Sequence, residues 1–291
     1  MLDRFITFGG ATYNAGKVFM RDDGVTPTGP YIWDPSRAGA DMVGGTTGSH
    51  VNPAAYTQVT GAEMWNNRDT MTTIGIGAQR PDSFANGTSA YAFEGGVESL
   101  LVSESPSTGG DLFRYRITSV DDPSLDEWQL VGVGSRSYAD QGAGAYDPRN
   151  RLYLRTARFD STYGIVMWNT ATPGPRNEAV HFTPRDVNGS PVITNLHGMD
   201  FDPVRAAFVL WDGSGEVWYL RPPEQGPAFT PHGWTVSRAP MVGPDRPAVQ
   251  LSTGILGKWK YIGTHDVMMG LGDGIEGQVW VYKPVNWQPP P

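Results

Sequence analysis

Three side chains in this sequence have the chemical types that acid–base chemistry on an acidic substrate requires. His197 can act as a general base, Tyr163 can assist it, and Arg158 can hold a carboxylate in place. Together they could remove the proton next to a carboxylate, the step by which an acidic polysaccharide is cleaved by elimination. The simpler alternative is that His197 only forms hydrogen bonds with the backbone of its own loop.

A second group of polar and aromatic side chains could bind a ligand without reacting with it. An arginine offers a fork of donors to a carboxylate, an aspartate accepts from hydroxyl groups, and an aromatic face packs against a pyranose ring. Trp65 is included because it lies outside the repeated strands described below. The ligand-binding candidates are Arg80, Asp140, Asp160, Arg185, Asp186 and Trp65.

The absence of cysteine and the spacing of the histidines exclude several kinds of catalytic and metal-binding site. Its 291 residues include no cysteine, which excludes a thiol nucleophile, a disulfide scaffold and a cysteine-ligated zinc site. No two of the five histidines have the i, i+2 or i, i+4 spacing that is typical of metal ligands. We therefore expect neither a metal site nor a cofactor.

The charge balance and the hydropathy pattern narrow the class of partner. The chain has 22 Lys and Arg residues against 30 Asp and Glu, a formal net charge of −8, so a nucleic-acid partner is not expected. No apolar run reaches the roughly 18 residues that span a bilayer, so no membrane span is expected. The expected partner is a polysaccharide or another extracellular ligand, and the oligomeric state is left open.

Short strands in a repeated pattern must position these side chains. Turn-forming residues (37 Gly and 24 Pro) are scattered between segments that contain 10 Trp, 12 Tyr and 11 Phe, which favours an all-β fold. Aromatic anchors recur at Tyr91, Tyr146, Phe201 and Tyr261, with spacings of 55, 55 and 60 residues. Tyr146 and Phe201 are each followed by an Asp-Pro turn and basic residues. A period near 55 indicates a repeated structural unit.

Each repeat contains about four short strands, which is the pattern of a β-propeller blade. One such sheet cannot bury both of its faces, so neighbouring blades must stack with aromatic side chains between them. We predict a single β-propeller domain of about five four-stranded blade units, alone or as part of a larger ring of six or seven blades. The predicted units are a partial first blade over 1–60 and later blades near 61–135, 136–190, 191–245 and 246–291.

The strand sequences resemble those of kelch repeats. Arg4–Gly10 places a Gly-Gly pair after a hydrophobic strand, and Val217–Tyr219 and Val279–Tyr282 contain the matching aromatic residues. The closing segment 254–284 is similar to the end of uncharacterised bacterial kelch and galactose-oxidase-like propellers. The resemblance implies a propeller that binds ligands on the face formed by its connecting loops, where the candidates above lie. It does not extend to copper-radical oxidation, which needs a tyrosine cross-linked to a cysteine.

The weakness of the catalytic pattern favours a binding function. We predict a module that binds a glycan or another extracellular ligand through its loops. One alternative is an enzyme, a polysaccharide lyase or a glycoside hydrolase, and another is a protein-interaction scaffold. Because the terminal units are incomplete and no signal peptide is present, we expect a chain that lacks its first blades and derives from a longer extracellular or periplasmic parent. A cytoplasmic location is the alternative.

Overall fold

The computed structural model describes residues 5–8, 30–33, 65–67, 73–74, 81, 87–104, 110–118, 125–134, 142–159, 161–240, 247, 254–271 and 278–289. Within these ranges the regular structure consists almost entirely of β-strands, with a 3₁₀ turn at Leu256–Lys258. The predicted all-β class is confirmed. None of the described residues forms a helix that is long and apolar enough to cross a membrane.

The N-terminal sheet has three antiparallel strands. These are β1 (Phe5–Phe8), β2 (Pro30–Trp33) and β3 (Trp65–Asn67). Trp65 lies in the third of these strands, directly opposite Trp33 in the backbone register. Trp65, which the sequence places outside the repeated strands, thus belongs to a strand of the N-terminal sheet, and its role in ligand binding stays a prediction.

Four further sheets follow in chain order, and we call them blades I to IV. Blade I contains β5 (Thr88–Glu94), β6 (Val97–Ser103), β7 (Leu112–Ile117) and β8 (Glu127–Gly132). These four strands form an antiparallel meander. The short strand β4 (Thr73–Ile74) extends it by pairing with β8 in parallel.

Blades II and III are complete four-stranded antiparallel meanders, and blade IV shows three strands. Blade II consists of β9 (Gly144–Asp147), β10 (Leu152–Phe159), β11 (Thr162–Asn169) and β12 (Val180–Phe182). Blade III consists of β13 (Gly198–Asp202), β14 (Ala207–Trp211), β15 (Val217–Arg221) and β16 (Thr235–Arg238). Blade IV consists of β17 (Trp259–Ile262), β18 (Val267–Leu271) and β19 (Val279–Tyr282).

The first strands of the four blades bring the sheets together as a β-propeller. β5 contacts β9, β9 contacts β13, and β13 contacts β17. The aromatic anchors of the repeat, Tyr91, Tyr146, Phe201 and Tyr261, each lie on one of these first strands. The predicted β-propeller is thus confirmed, with four consecutive blades.

Apolar side chains fill the spaces between successive blades. The strand β14 is buried along its whole length because one of its faces packs against one neighbouring blade and the other face against the next. Phe208 and Leu210 pack towards blade II, whereas Val209 and Trp211 pack towards blade IV. The predicted core role of the strand tryptophans is confirmed at Trp211, which is 2% exposed. Burial on both faces makes each blade depend on its neighbours.

The turns after the first strands share one geometry. In blades II, III and IV the last turn residue has a positive φ, at Arg151 (54°), Ala206 (51°) and Asp266 (49°). Asp147 and Asp202, which precede these turns in blades II and III, accept hydrogen bonds from backbone N–H groups within them. The predicted Asp-Pro turns are therefore present, and the aspartates cap them.

Candidate functional site

One edge of blade III brings together the residues that precede its first strand and those that follow its second. In an antiparallel pair, the start of one strand lies beside the end of the next. The segment 183–197 leads into β13, and the segment 212–216 connects β14 to β15. We call this edge of the propeller, with the equivalent connections in the other blades, the loop face.

His197 is the most buried polar candidate on the loop face, with 3% of its surface exposed. Its Nδ1 accepts a hydrogen bond of 3.1 Å from the backbone N–H of Thr194 and lies 3.0 Å from the Thr194 hydroxyl. Because Nδ1 is the acceptor, the neutral ring carries its hydrogen on Nε2. Nε2 is buried and has no hydrogen-bond partner among the described residues.

Burial also decides the charge state of His197. Desolvation lowers the pKa of the imidazole to about 4, and the nearby carboxylate of Asp212 opposes this shift only in part. His197 is therefore neutral at neutral pH, with an N–H group at Nε2. This geometry favours a hydrogen-bond donor at Nε2, and the role of general base stays a prediction.

Asp212 lies beside His197 because of the strand register. Gly198 pairs with Trp211, so His197 and Asp212 occupy the next positions at the same edge. One carboxylate oxygen of Asp212 accepts a 2.9 Å hydrogen bond from the Ser214 backbone N–H. Sequence reasoning explains Asp212 only as part of a hairpin turn. Its position directly after the second strand of the repeat is the signal that could have identified it.

The position of His197 breaks the repeat. Counting back by the period of 55 residues gives Gly142, and counting back again gives Gly87. At Gly142 an added Cβ would lie 2.1 Å from the Thr156 carbonyl oxygen, so blade II has no room for a side chain there. Blade III holds an imidazole at the equivalent place, which distinguishes it chemically from blade II.

Arg185 and Asp186 help to hold the loop that precedes His197. Arg185 Nη1 donates to the Gly189 carbonyl at 2.8 Å. Oδ1 of Asp186 accepts from the backbone N–H groups of Asn188 and Ser190 at 2.9 and 2.8 Å. These backbone hydrogen bonds lower the pKa of Asp186. Both predicted ligand-binding residues thus stabilise the turn, and both remain on the surface of the loop face.

Arg158 and Tyr163 are directly opposite one another at the end of the β10–β11 hairpin. Tyr163 is half-buried and packs against the apolar cluster between blades II and III, which includes Ile193 of the loop before His197. Each of the two makes interactions within the fold. The hydrogen bonds of His197 in the described structure go to Thr194 and not to either of them, so the catalytic trio stays a prediction.

The remaining candidates lie outside the described structure. This applies to Arg80, Asp140 and Asp160, and to the side chain of Trp65. Trp287 follows the last strand of blade IV; it donates from Nε1 to the His265 carbonyl at 2.7 Å and lies under the Lys283 ammonium group. Its indole therefore packs against the fold.

No family model, curated protein or solved structure matches this chain. The assignment of a β-propeller therefore depends on the sheet order and on the contacts between the first strands of the four blades.

Proposed function

We propose that the chain is a kelch-like propeller module that binds a glycan on its loop face, with His197 and Asp212 at the centre of the site. The supporting observation is the buried Nε2–H of His197, which has no acceptor among the described residues. The carboxylate of Asp212 is near enough to the imidazole to interact with its charge, and the two residues are neighbours in the strand register. A sugar hydroxyl both accepts and donates a hydrogen bond, so it matches an N–H donor next to a carboxylate acceptor.

The energetics favour a ligand that supplies an acceptor oxygen. A buried donor without a partner costs about 1–3 kcal/mol, and an acceptor brought by the ligand removes this cost. Nε2 itself is closed to solvent in this structure, so contact with a ligand requires the loop before His197 to move aside, and only a small group then reaches Nε2. We therefore propose that one hydroxyl or the end of a glycan chain contacts His197, rather than the flat face of a ring.

The surroundings of this pair suit an acidic glycan. Arg185 lies in the exposed loop before His197, and Arg158 and Tyr163 form the end of the neighbouring hairpin on the same face. Guanidinium groups recognise carboxylates, as in uronic acids. We propose an extracellular or periplasmic location, where such a polymer is encountered.

Binding to immobilised polygalacturonate, alginate and hyaluronate, with neutral dextran for comparison, tests the proposal. Asp212→Asn retains an oxygen for the Ser214 N–H but replaces the second acceptor oxygen with a donor, and we expect at least tenfold weaker binding. Glu224→Gln makes the same carboxylate-to-amide change in the exposed connection after β15, at the opposite edge of blade III, and should bind as the unsubstituted protein does. Equal binding by the two variants would contradict the site.

The same assay separates binding from catalysis. Release of unsaturated products that is abolished by His197→Ala, in a protein that still folds, would show an elimination reaction and overturn the binding-only function. If the unsubstituted protein neither binds nor cleaves any of these polymers, the glycan proposal fails and a protein-interaction scaffold takes its place.

A further inference from the structure

A groove between blades III and IV lies apart from the pair formed by His197 and Asp212. It is largely open to solvent and has a volume of about 440 Å³, within the range of small-molecule sites. Its walls come from the β13–β14 turn, the strands β15 and β16, and the segment after β19. The lining residues are Arg205, Tyr219, Arg221, Ser237, Arg238, Pro240, Pro284 and Val285.

Arg221 is the charged group whose arrangement points to a ligand. Its guanidinium lies 4.6 Å from the centre of the Tyr219 ring, and its Nη1 donates to the Ser237 hydroxyl at 3.1 Å. These two contacts hold the planar group in place. No carboxylate of the described residues pairs with it, although the chain has a net charge of −8. The rest of its donor edge is available to an anion.

The other arginines of the groove already have acidic partners. Arg205 binds Asp202 and Asp266, and Arg238 binds Glu216 at 3.0 Å. Arg221 is therefore the arginine of the groove that no carboxylate of the described residues pairs with, although the three arginines and these three carboxylates sum to zero charge. The net negative charge of the protein repels a multiply charged anion more strongly than a singly charged one. A single unpaired arginine therefore suits a ligand with one negative charge better.

The tyrosine hydroxyl groups at the remaining wall of the groove are hydrogen-bonded. The hydroxyl groups of Tyr219 and Tyr282 are 3.1 Å apart, and Tyr282 donates to the Pro240 carbonyl at 3.4 Å. Pro284 and Val285 form an apolar rim. An apolar wall with one oriented charge is the usual composition of a site for a small organic ligand.

We propose that this groove binds the carboxylate of a small organic acid of about the size of a uronic acid, with Arg221 as the residue that recognises the carboxylate. A carboxylate can accept two parallel hydrogen bonds from one guanidinium edge. The ring or chain of the acid then lies along Pro284 and Val285. This site is separate from the loop face, and it does not depend on the glycan function proposed above.

Calorimetric titration with sodium glucuronate tests this site, and glucose and sodium sulfate serve as comparisons. Glucose has a similar ring without the charge, and sulfate has charge without the ring. We expect saturable binding of glucuronate and no comparable binding of glucose or sulfate. Absence of glucuronate binding up to about 10 mM, or equal competition by sulfate, would overturn a carboxylate-specific groove.

Three substitutions locate the binding. Arg221→Gln should weaken glucuronate binding at least tenfold, whereas Arg221→Lys should weaken it less because the charge remains and only the fork is lost. Arg176→Gln is the matched control, since Arg176 is exposed and the change removes the same charge. Unchanged binding in Arg221→Gln would overturn the proposal. Asp212→Asn should leave glucuronate binding unchanged. The loop-face site is therefore tested by Asp212→Asn and the groove by Arg221→Gln, and either proposal can fail without the other.

Discussion

Arg205 and Asp266 are joined by two parallel hydrogen bonds, of 2.7 and 2.8 Å, across the junction between blades III and IV. Nη1 of Arg205 also donates to Asp202 at 2.7 Å in its own turn. Asp266 additionally accepts from the Tyr261 hydroxyl at 3.0 Å. These hydrogen bonds therefore connect the turn after the first strand of blade III to the equivalent turn of blade IV.

Turn-to-turn contacts recur at the other two junctions. Arg149, in the Asp-Pro turn of blade II, donates to the Pro203 carbonyl in the equivalent turn of blade III. Arg151, also in blade II, lies 3.6 Å from the Glu94 carboxylate at the end of the first strand of blade I. The basic residues within this turn of blade II thus connect it to the neighbouring blades on both sides.

The contact between Arg205 and Asp266 should contribute measurably to stability. Both side chains are partly exposed, 20% and 26%, so we expect a coupling of about 0.5–1 kcal/mol in a double-mutant cycle of Arg205→Gln and Asp266→Asn, measured by urea unfolding. The more exposed pair of Arg238 and Glu216 is the control and should show weaker coupling. The coupling should fall with added salt. Equal coupling in the two pairs would contradict this interpretation.

Glu94 should make stability depend on pH in the acid range. Burial by itself raises the pKa of Glu94, but the hydrogen bond from Tyr146 and the charge of Arg114, 2.5 Å away, together hold it below the usual value. The carboxylate therefore stabilises the fold above the unfolded pKa of about 4.3, and this contribution is lost as pH falls through the lower folded value.

Urea unfolding of the unsubstituted protein and of Glu94→Gln between pH 7 and pH 3 measures this contribution. The variant should be less stable at pH 7, and the difference between the two proteins should shrink below about pH 4. A difference that stays constant down to pH 3 would show that the ionised carboxylate of Glu94 is not what stabilises the junction.

The fold can be predicted from the sequence because the residues that repeat are the ones on the strands that pack together. Tyr146 and Phe201 occupy equivalent places on two first strands, so their 55-residue spacing reports the blade directly. His197 is placed correctly before an inner strand for the same reason. The position of Asp212 after a second strand marks it as a loop-face residue, but its proximity to His197 follows from the register between β13 and β14 and needs the structure. The groove at Arg221 needs side chains from two blades, which no local pattern reveals.

Gly198 should be required where the first strand of blade III meets blade IV. A Cβ at this position would lie 2.7 Å from Ile255 Cγ2, from the Leu256 carbonyl oxygen and from Trp259 Cβ. Backbone atoms cannot move away as a flexible side chain can, so Gly198→Ala should destabilise the fold by about 1–3 kcal/mol. Gly263→Ala is the matched control, since its Cβ would meet only Tyr261 at 3.6 Å. Thermal unfolding of both variants checks this, and equal stability would contradict the close approach of the blades.

His197 should make the protein less stable as the pH falls from about 7 to about 4. The folded-state pKa of His197 is about 4, whereas an unfolded histidine titrates near 6.5. Between these values the unfolded chain binds more protons than the folded one, so protonation favours unfolding. The contribution is complete above pH 6.5 and is lost progressively as the pH approaches the folded value.

A neutral substitute at this position isolates the effect of His197. The free energy of unfolding of the unsubstituted protein, minus that of His197→Gln, should decrease between pH 7 and pH 4, with a slope of at most about 1.4 kcal/mol per pH unit. Nuclear magnetic resonance of the imidazole should show that His197 is still neutral at pH 5.5. A ring that is protonated at that pH would mean that Nδ1 does not accept from Thr194, and the donor at Nε2 on which the glycan site depends would lose its basis.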